Sequence, residues 1–391
     1  MKDNTRIKIL KSKFVKHFHQ EPANVFLSPG RIELLGNHTD HNNGKVLVSS
    51  VDLKILAAVA PRDDKKIVIF SKGYRKMTVS LNALKKREKE YGHSLSLIRG
   101  VVARFKKLGL NYGGFSMVCD SSIYKGAGVS SSAAFEVLVG KILSYYYNND
   151  SIEAFQLAQI AQFSESVYFN KPCGLLDQSG IALGGINYID FYSTKSPIIN
   201  NLKILNKNYQ FILINTGDDH SKLTPCYAAI KDDMRLIANH FGKQVLRSVK
   251  PSAFFNNIDE LREKYGERAV LRAKHYFEEN ERVEKAYKAL VNNDFETFLY
   301  QLNESGISSY HQLKNCYVES EDEKLPYALR RVKEIDPECY SRVHGGGFAG
   351  TMLMIVKKSK VNTVVETLRN EFGKDNVMPV SLTKEGTSVI E

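Results

Sequence analysis

Residues 125–134, Lys125-Gly126-Ala127-Gly128-Val129-Ser130-Ser131-Ser132-Ala133-Ala134, constrain the fold most. They stand between a β-like run, Phe115 to Asp120, and a helical one, Ala133 to Tyr147. That helix carries Phe135, Leu138, Val139, Ile142 and Tyr146 on one face. A strand, a glycine turn and a helix opening with unpaired N–H groups make an anion site: the helix dipole favours negative charge, and the three serines add hydroxyl donors or a magnesium ligand. No Gly-Lys-Ser or Gly-Lys-Thr ending is present, so this is not a Walker A loop. The context points to phosphate.

Two other glycine-rich segments flank it in sequence. Ser28 to Gly44 crowds Arg31, Asn37, His38 and Asp40 between Gly30, Gly36 and Gly44. Glycines permit tight turns and close approach, while a fixed cation, an amide, an imidazole and a carboxylate suit a polyhydroxylated small molecule with a phosphate nearby. Val343-His344-Gly345-Gly346-Gly347-Phe348-Ala349-Gly350 contains a GxGxxG, but it precedes the strand Thr351 to Val356 where a dinucleotide loop would open a helix. It reads instead as a turn packed beside another loop or a ligand. Between these segments, Glu165 near a helix end and Asp177 after the Pro172 and Gly174 turn bring two carboxylates from different elements. One suits magnesium; the other suits an attacking hydroxyl, which a carboxylate orients and whose proton it accepts.

Composition narrows the class. A chain of 391 residues with 43% hydrophobic and 25% charged residues is an ordinary globular protein, long enough for two domains. The net charge of +12 is spread along the chain and not gathered in a stripe, which argues against nucleic acid as a partner. The longest apolar run, Ile55 to Ala60, is too short for a membrane span, and no secretory signal follows the charged start. Five scattered cysteines, Cys119, Cys173, Cys226, Cys316 and Cys339, include no CxxC pair. Reduced thiols and a cytoplasmic location are the expectation. His38 with His41, and His17 with His19, lack further ligands at zinc spacing, and Cys173 lacks a dedicated histidine partner, so it reads as a packed thiol.

β-like runs at Lys66 to Phe70, Met77 to Leu81, Phe115 to Asp120, Ile186 to Phe191, Gln210 to Asn215 and Thr351 to Val356 alternate with helical patterns. The helical patterns are Ala133 to Tyr147, Ile152 to Ser166, Tyr227 to Phe241, Ser252 to Tyr265 and Arg268 through Leu302. The expected class is α+β, or mixed α/β. Ser193 to Asn208 is the expected junction, dividing the chain into residues 1–200 and 201–391.

Taken together, these segments resemble the galactokinase branch of the GHMP sugar and metabolite kinases, with all three family motifs in order from about residue 22 onward. Pro29-Gly30-Arg31 through Asp40 is similar to the sugar signature, Gly126 through Ala134 to the phosphate motif, and Gly345 through Gly350 to the third. Cys173-Gly174-Leu175-Leu176-Asp177-Gln178 resembles the catalytic-aspartate segment. The resemblance implies a ribosomal-protein-like N-terminal α/β domain, a ferredoxin-like C-terminal domain and a site between them. It implies transfer of the γ-phosphoryl group of ATP to the anomeric hydroxyl of galactose, giving galactose 1-phosphate. Asp177 would be the base and Arg31 its stabilising cation. Asn37, His38, Asp40, Gly174, Asp177 and Tyr227, the last following Asp219-His220-Ser221, would contact sugar. Gly126, Gly128, Ser130, Ser131, Ser132 and Ala133 would hold the nucleotide, and Ser132 and Glu165 Mg²⁺. A monomer acting on sugar and ATP is expected.

Three positions depart from the family pattern, which usually has Glu at Asn37, Tyr at His41 and Asn at Glu33. An amide at position 37 carries no charge. It would tolerate a sugar with a terminal carboxylate, such as galacturonate, so a kinase for a related sugar is a second reading and a non-catalytic galactose sensor a third. Retention of Arg31, Ser132, Ala133 and Asp177 counts against the sensor.

Overall fold

The structure, a computed structural model, describes residues 3–123, 128–203, 208–217, 223–320, 322–348 and 350–391. An eight-stranded sheet is built on β1 (Asn24–Leu35) and β2 (Lys45–Arg62), which pair antiparallel along their lengths. The second half of β2 pairs with β5 (Gly114–Ser121) and its first half with β6 (Ile186–Asp190). β3 (Lys66–Ser71) and β4 (Met77–Ser80) extend the sheet beyond β5, and β7 (Ile198–Leu202) extends it beyond β6.

Alternation along β2 explains why this sheet is covered on both sides. Leu56, Ala58 and Ala60 pack under α1 (Asp3–Phe18), against its Ile7, Leu10 and Phe14. Ile55, Ala57 and Val59 face the main core with α2 (Ser94–Lys107), α3 (Ser131–Tyr147) and α4 (Ala154–Phe163). With both faces buried, strand alternation is lost and a continuous apolar run results. Each fully buried Leu, Ile or Phe contributes about 1.5–3 kcal/mol. That is enough to hold β1 as a strand although it contains Pro29 and Gly30, where a register shift falls.

A second, four-stranded antiparallel sheet has the order β11-β8-β10-β9, formed by β8 (Tyr209–Asn215), β9 (Tyr340–Val343), β10 (Thr351–Lys357) and β11 (Val377–Val380). With helices between β8 and β9, and α12 (Val361–Phe372) between β10 and β11, this is the β-α-β-β-α-β order of ferredoxin-like sheets. Ile212, Ile214, Met352 and Met354 face α12 and α11 (Lys324–Ile335), while Phe211, Leu213, Leu353 and Ile355 join the main core. The helical insertion includes α6 (Thr224–His240), α7 (Pro251–Phe255), α8 (Ile258–Tyr265), α9 (Glu267–Val291) and α10 (Phe295–Ser308).

All six expected strands and the mixed α/β class are borne out. Two expected helices are broken. Arg268 through Leu302 divides at Asn293, which has φ 58°, and Asp294 then caps α10 by accepting from Thr297 N at 3.0 Å. Ser252 to Tyr265 is two short helices, α7 and α8. Within the expected junction, Ser193 to Asn208, Ile198–Leu202 forms strand β7; residues 204–207 lie outside the described residues. The chain end also returns to the first sheet, where β12 (Ser388–Val389) pairs with β1 and Leu382 bridges Val51, so residues 201–391 supply strands to both sheets.

Deletion of residues 387–391 exposes the β1 edge and removes the Thr387 hydroxyl 2.9 Å from Ser28 Oγ and the backbone bond from Ile390 to Val25. The expected loss is on the order of 2–4 kcal/mol for a few net hydrogen bonds, read by urea unfolding of the truncated chain against the full one.

Candidate active site

Arg31, on β1, is almost fully buried, and its Nε donates to Asp177 Oδ1 at 2.7 Å. Asp177 lies at the start of α5 (Leu176–Leu183). Nη1 of Arg31 donates to Gly128 O at 2.6 Å and faces His344 Nε2 at 3.4 Å. Ser130 Oγ donates to the other Asp177 oxygen. Burial pushes the Asp177 carboxyl up, but Arg31 beside it, with the hydrogen bonds from Arg31 and Ser130 and the nearby Lys171, outweighs that and holds it below its ordinary value. Burial, reinforced by Arg31, pushes the His344 imidazole well down, so neutral His344 accepts from the guanidinium. Close packing of β1 on the phosphate segment requires a glycine: a Cβ at Gly30 would stand 2.9 Å from Val129 Cγ2.

The carboxylate therefore faces the opening turn of α3. Gly128 (φ 74°) and Ser130 (φ 58°) turn the chain so that the first N–H groups of α3, from Ser131, Ser132 and Ala133, lack intrahelical partners. Gly126 lies outside the described residues. Ser132 Oγ donates to Glu165 Oε1 at 2.9 Å. Glu165, in a π-helical turn (Ser164–Tyr168), also accepts from Gln178 Nε2 at 2.7 Å and Lys171 Nζ at 3.1 Å. A hydroxyl and a carboxylate together at a helix start are hard oxygen donors of the kind Mg²⁺ takes beside substrate phosphates, so these residues fit that ion.

The loop after β1 supplies His38 and Asp40, the segment before α5 supplies Gly174, and α6 supplies Tyr227. Asp40 accepts from the backbone of His41 at 2.9 Å and of Leu176 at 3.1 Å, which fixes it against the Asp177 segment. Burial raises its carboxyl above the ordinary value. Gly174 is needed there because a Cβ would overlap the Asp40 carboxylate. His38 (φ 58°) donates from Nε2 to Gly346 O at 3.0 Å, which leaves Nδ1 to accept from His41 at 3.4 Å. Burial lowers its imidazole to about 4, so it stands neutral. Tyr227 donates to Gly347 O at 3.1 Å and packs edge-on against Phe348. The third glycine segment thus rests on the sugar-signature loop, as expected of a turn packed beside another loop.

Asn37 differs from expectation. It is fully buried, and its amide donates to Glu33 Oε1 at 2.9 Å and Gly345 O at 2.8 Å. Its carbonyl accepts from Asn315 Nδ2 at 2.8 Å and Ser309 Oγ at 3.3 Å. Protein groups fill its hydrogen-bonding capacity. Glu33 is paired with fully buried Arg342 at 2.6 Å. Burial raises the Glu33 carboxyl to about 7 against the opposing pull of Arg342 and Arg31. His275 donates to Asn37 O at 2.9 Å, and Glu279 accepts from Gly36 N at 2.9 Å. Sequence reasoning misses Arg342, Asn315, Ser309, His275 and Glu279. Each lies more than 230 residues from the loop it supports, and none stands in a motif.

A model of the GHMP kinases N terminal domain matches residues 96–185, and one of the galactokinase galactose-binding signature matches residues 12–61. Among solved structures, Lactococcus lactis galactokinase complexed with galactose has a TM-score of 0.84 at 23% identity, covering 98% of this chain and 99% of that one. Methanococcus jannaschii mevalonate kinase has a TM-score of 0.62 at 15% identity, covering 92% and 98%. These likenesses show the shared fold, that of the GHMP kinases. Galactokinase of Clostridium acetobutylicum is 30% identical over 379 residues, 94% of this chain and 93% of that one. That of Clostridium beijerinckii is 28% identical over 377 residues, with the same coverage. The chain belongs to the galactokinase family.

Two outcomes follow from this geometry. Asn37→Glu sets a second carboxylate against Glu33, and Glu33→Asn leaves Arg342 without its buried partner; each should cost about 3–5 kcal/mol. The double exchange restores one charge and one amide, so a double-mutant cycle by thermal unfolding should give coupling above about 1 kcal/mol. Gly174→Ala displaces Asp40, and a shift of that kind should lower kcat/KM for sugar by about 10²-fold with little change in thermal stability, as measured by steady-state kinetics beside a melting curve.

Proposed function

We propose that this enzyme transfers the γ-phosphoryl group of ATP to the anomeric hydroxyl of galactose, releasing ADP and galactose 1-phosphate. Membership of the galactokinase family supports the reaction. The observation that carries the residue roles is the Arg31–Asp177 pair set against the opening turn of α3. Asp177, kept ionised by Arg31, orients the sugar hydroxyl and accepts its proton as the oxygen attacks phosphorus. Its lowered basicity makes orientation the larger part of its task. Arg31 and the α3 N–H groups face the negative charge of the transferring phosphoryl group. Gly128, Ser130, Ser131, Ser132 and Ala133 surround the nucleotide phosphates, and Ser132 and Glu165 would hold Mg²⁺. When bound, that ion neutralises phosphate charge.

His38, Asp40, Gly174 and Tyr227 form the sugar side of the site, with Asn37 supporting their loop from behind. We propose a cytoplasmic monomer as the working form. All five cysteines are free thiols, and no described helix is long and apolar enough to cross a membrane.

Asp177→Ala should lower galactose-dependent ADP release by about 10²- to 10⁴-fold while leaving ATP binding measurable in a coupled assay and by calorimetry. Turnover at the wild-type rate would exclude the assigned role.

A further inference from the structure

Glu165 and Lys171 form an ion pair of unequal members. The Glu165 side chain is 1% exposed and that of Lys171 50%, with Nζ 3.1 Å from Glu165 Oε1. The same oxygen accepts from Ser132 Oγ at 2.9 Å, so the ammonium stands beside the opening turn of α3. Its charge also acts on Asp177 and on Tyr227, which places it among the groups that line the site from α5 and α6.

The backbone of Lys171 is held and its side chain is free to turn. Its N–H donates to Glu165 O at 3.1 Å, Asn170 before it has φ 66°, and Pro172 after it restricts its ψ. A flexible aliphatic stem, half in solvent, leads from that anchor to a compact ammonium with rotatable donors. Arg31 is the opposite case: it is almost fully buried and bonded to Asp177 and Gly128 O, so it cannot follow a substrate. Nor does Glu165 depend on the lysine alone, because Ser132 and Gln178 also donate to it.

Charge decides where the ammonium goes. Arg31 answers Asp177 and Lys171 answers Glu165, so these two pairs are neutral without a ligand. A nucleotide triphosphate adds several negative charges, and an ammonium and a divalent cation on one carboxylate repel each other. We propose that Lys171 is a further catalytic residue, whose ammonium leaves Glu165 and donates to the γ-phosphoryl oxygens of bound ATP. Close to both Glu165 and Asp177, it faces the phosphoryl group on its way to the hydroxyl that Asp177 orients, and stabilises the negative charge there. This role rests on the reading of the α3 turn as the phosphate site.

Calorimetry with ADP and with the β,γ-imido analogue of ATP, both in excess Mg²⁺, tests it. Wild type should bind both nucleotides; if it binds neither, the phosphate reading of the α3 turn fails and the role of Lys171 with it. Given that binding, Lys171→Met should hold the analogue about 10- to 100-fold more weakly than wild type and ADP to within about threefold, since one charge-assisted hydrogen bond to the third phosphate is lost. Lys171→Gln, which keeps an N–H donor for Glu165 without the charge, should show the same selective loss. A merely structural lysine would weaken both nucleotides alike. Equal loss of both in the two variants, or wild-type affinity for the analogue in Lys171→Gln, overturns the proposal while the phosphate reading stands.

Discussion

The ion pair between Arg31 and Asp177 is the constraint around which the other parts of the site are arranged. Its members are 146 residues apart, one on a strand and one at a helix start. Burying two charges is costly unless further hydrogen bonds complete them. Here Gly128 O and His344 complete the guanidinium, and Ser130 completes the carboxylate. Each of these partners belongs to one of the glycine-rich segments. The phosphate turn and the third glycine segment thus meet on one side chain, which ties both of them to Asp177, the group proposed to act on the sugar hydroxyl.

A second buried network supports the sugar loop from the opposite side. Arg342 from β9, Asn315 and Ser309 from beyond α10, and His275 and Glu279 from α9 converge on Glu33, Gly36 and Asn37. Arg282 and His275 outweigh burial at Glu279 and hold its carboxyl down to about 2, so a fixed anion receives the Gly36 N–H. The C-terminal half of the chain thereby sets the shape of a loop whose residues all come from the N-terminal half. The family's usual arrangement puts the charge at position 37; here it sits four residues earlier, at Glu33, where Arg342 answers it. The Asn37 amide is accordingly bonded to protein groups within this network, and His38, Asp40 and Tyr227 are the side chains proposed to face a sugar.

The sequence shows the fold wherever burial leaves a local pattern. β5, β8 and β10 are apolar runs bounded by turns, and α3 carries its stripe, so their limits are legible to within a residue or two. β1 is not legible as a strand because Ser28, Pro29, Gly30 and Arg31 interrupt its apolar pattern, and tertiary pairing with β2 and β12 overrides their local preference. The break after α9 escapes notice because the helical stripe resumes in α10 with only Asn292, Asn293 and Asp294 between. At the site, Arg31, Asp177, Ser132 and Glu165 stand out in the sequence by residue type and motif, and the structure pairs Arg31 with Asp177 and Ser132 with Glu165. The bonding of Asn37 to protein groups is not legible, since its partners at positions 309, 315 and 345 are adjacent only after folding.

If Arg31 keeps Asp177 ionised against the pull of burial, the carboxyl must titrate low, and carbon NMR of aspartate-labelled protein measures this directly, with Asp177→Asn assigning the resonance. The expected result is titration below the ordinary value of 3.8 in the wild type and a rise above it in Arg31→Met, where burial acts unopposed by that cation. Titration at or above 3.8 in the wild type, or no movement on removing Arg31, would contradict the account.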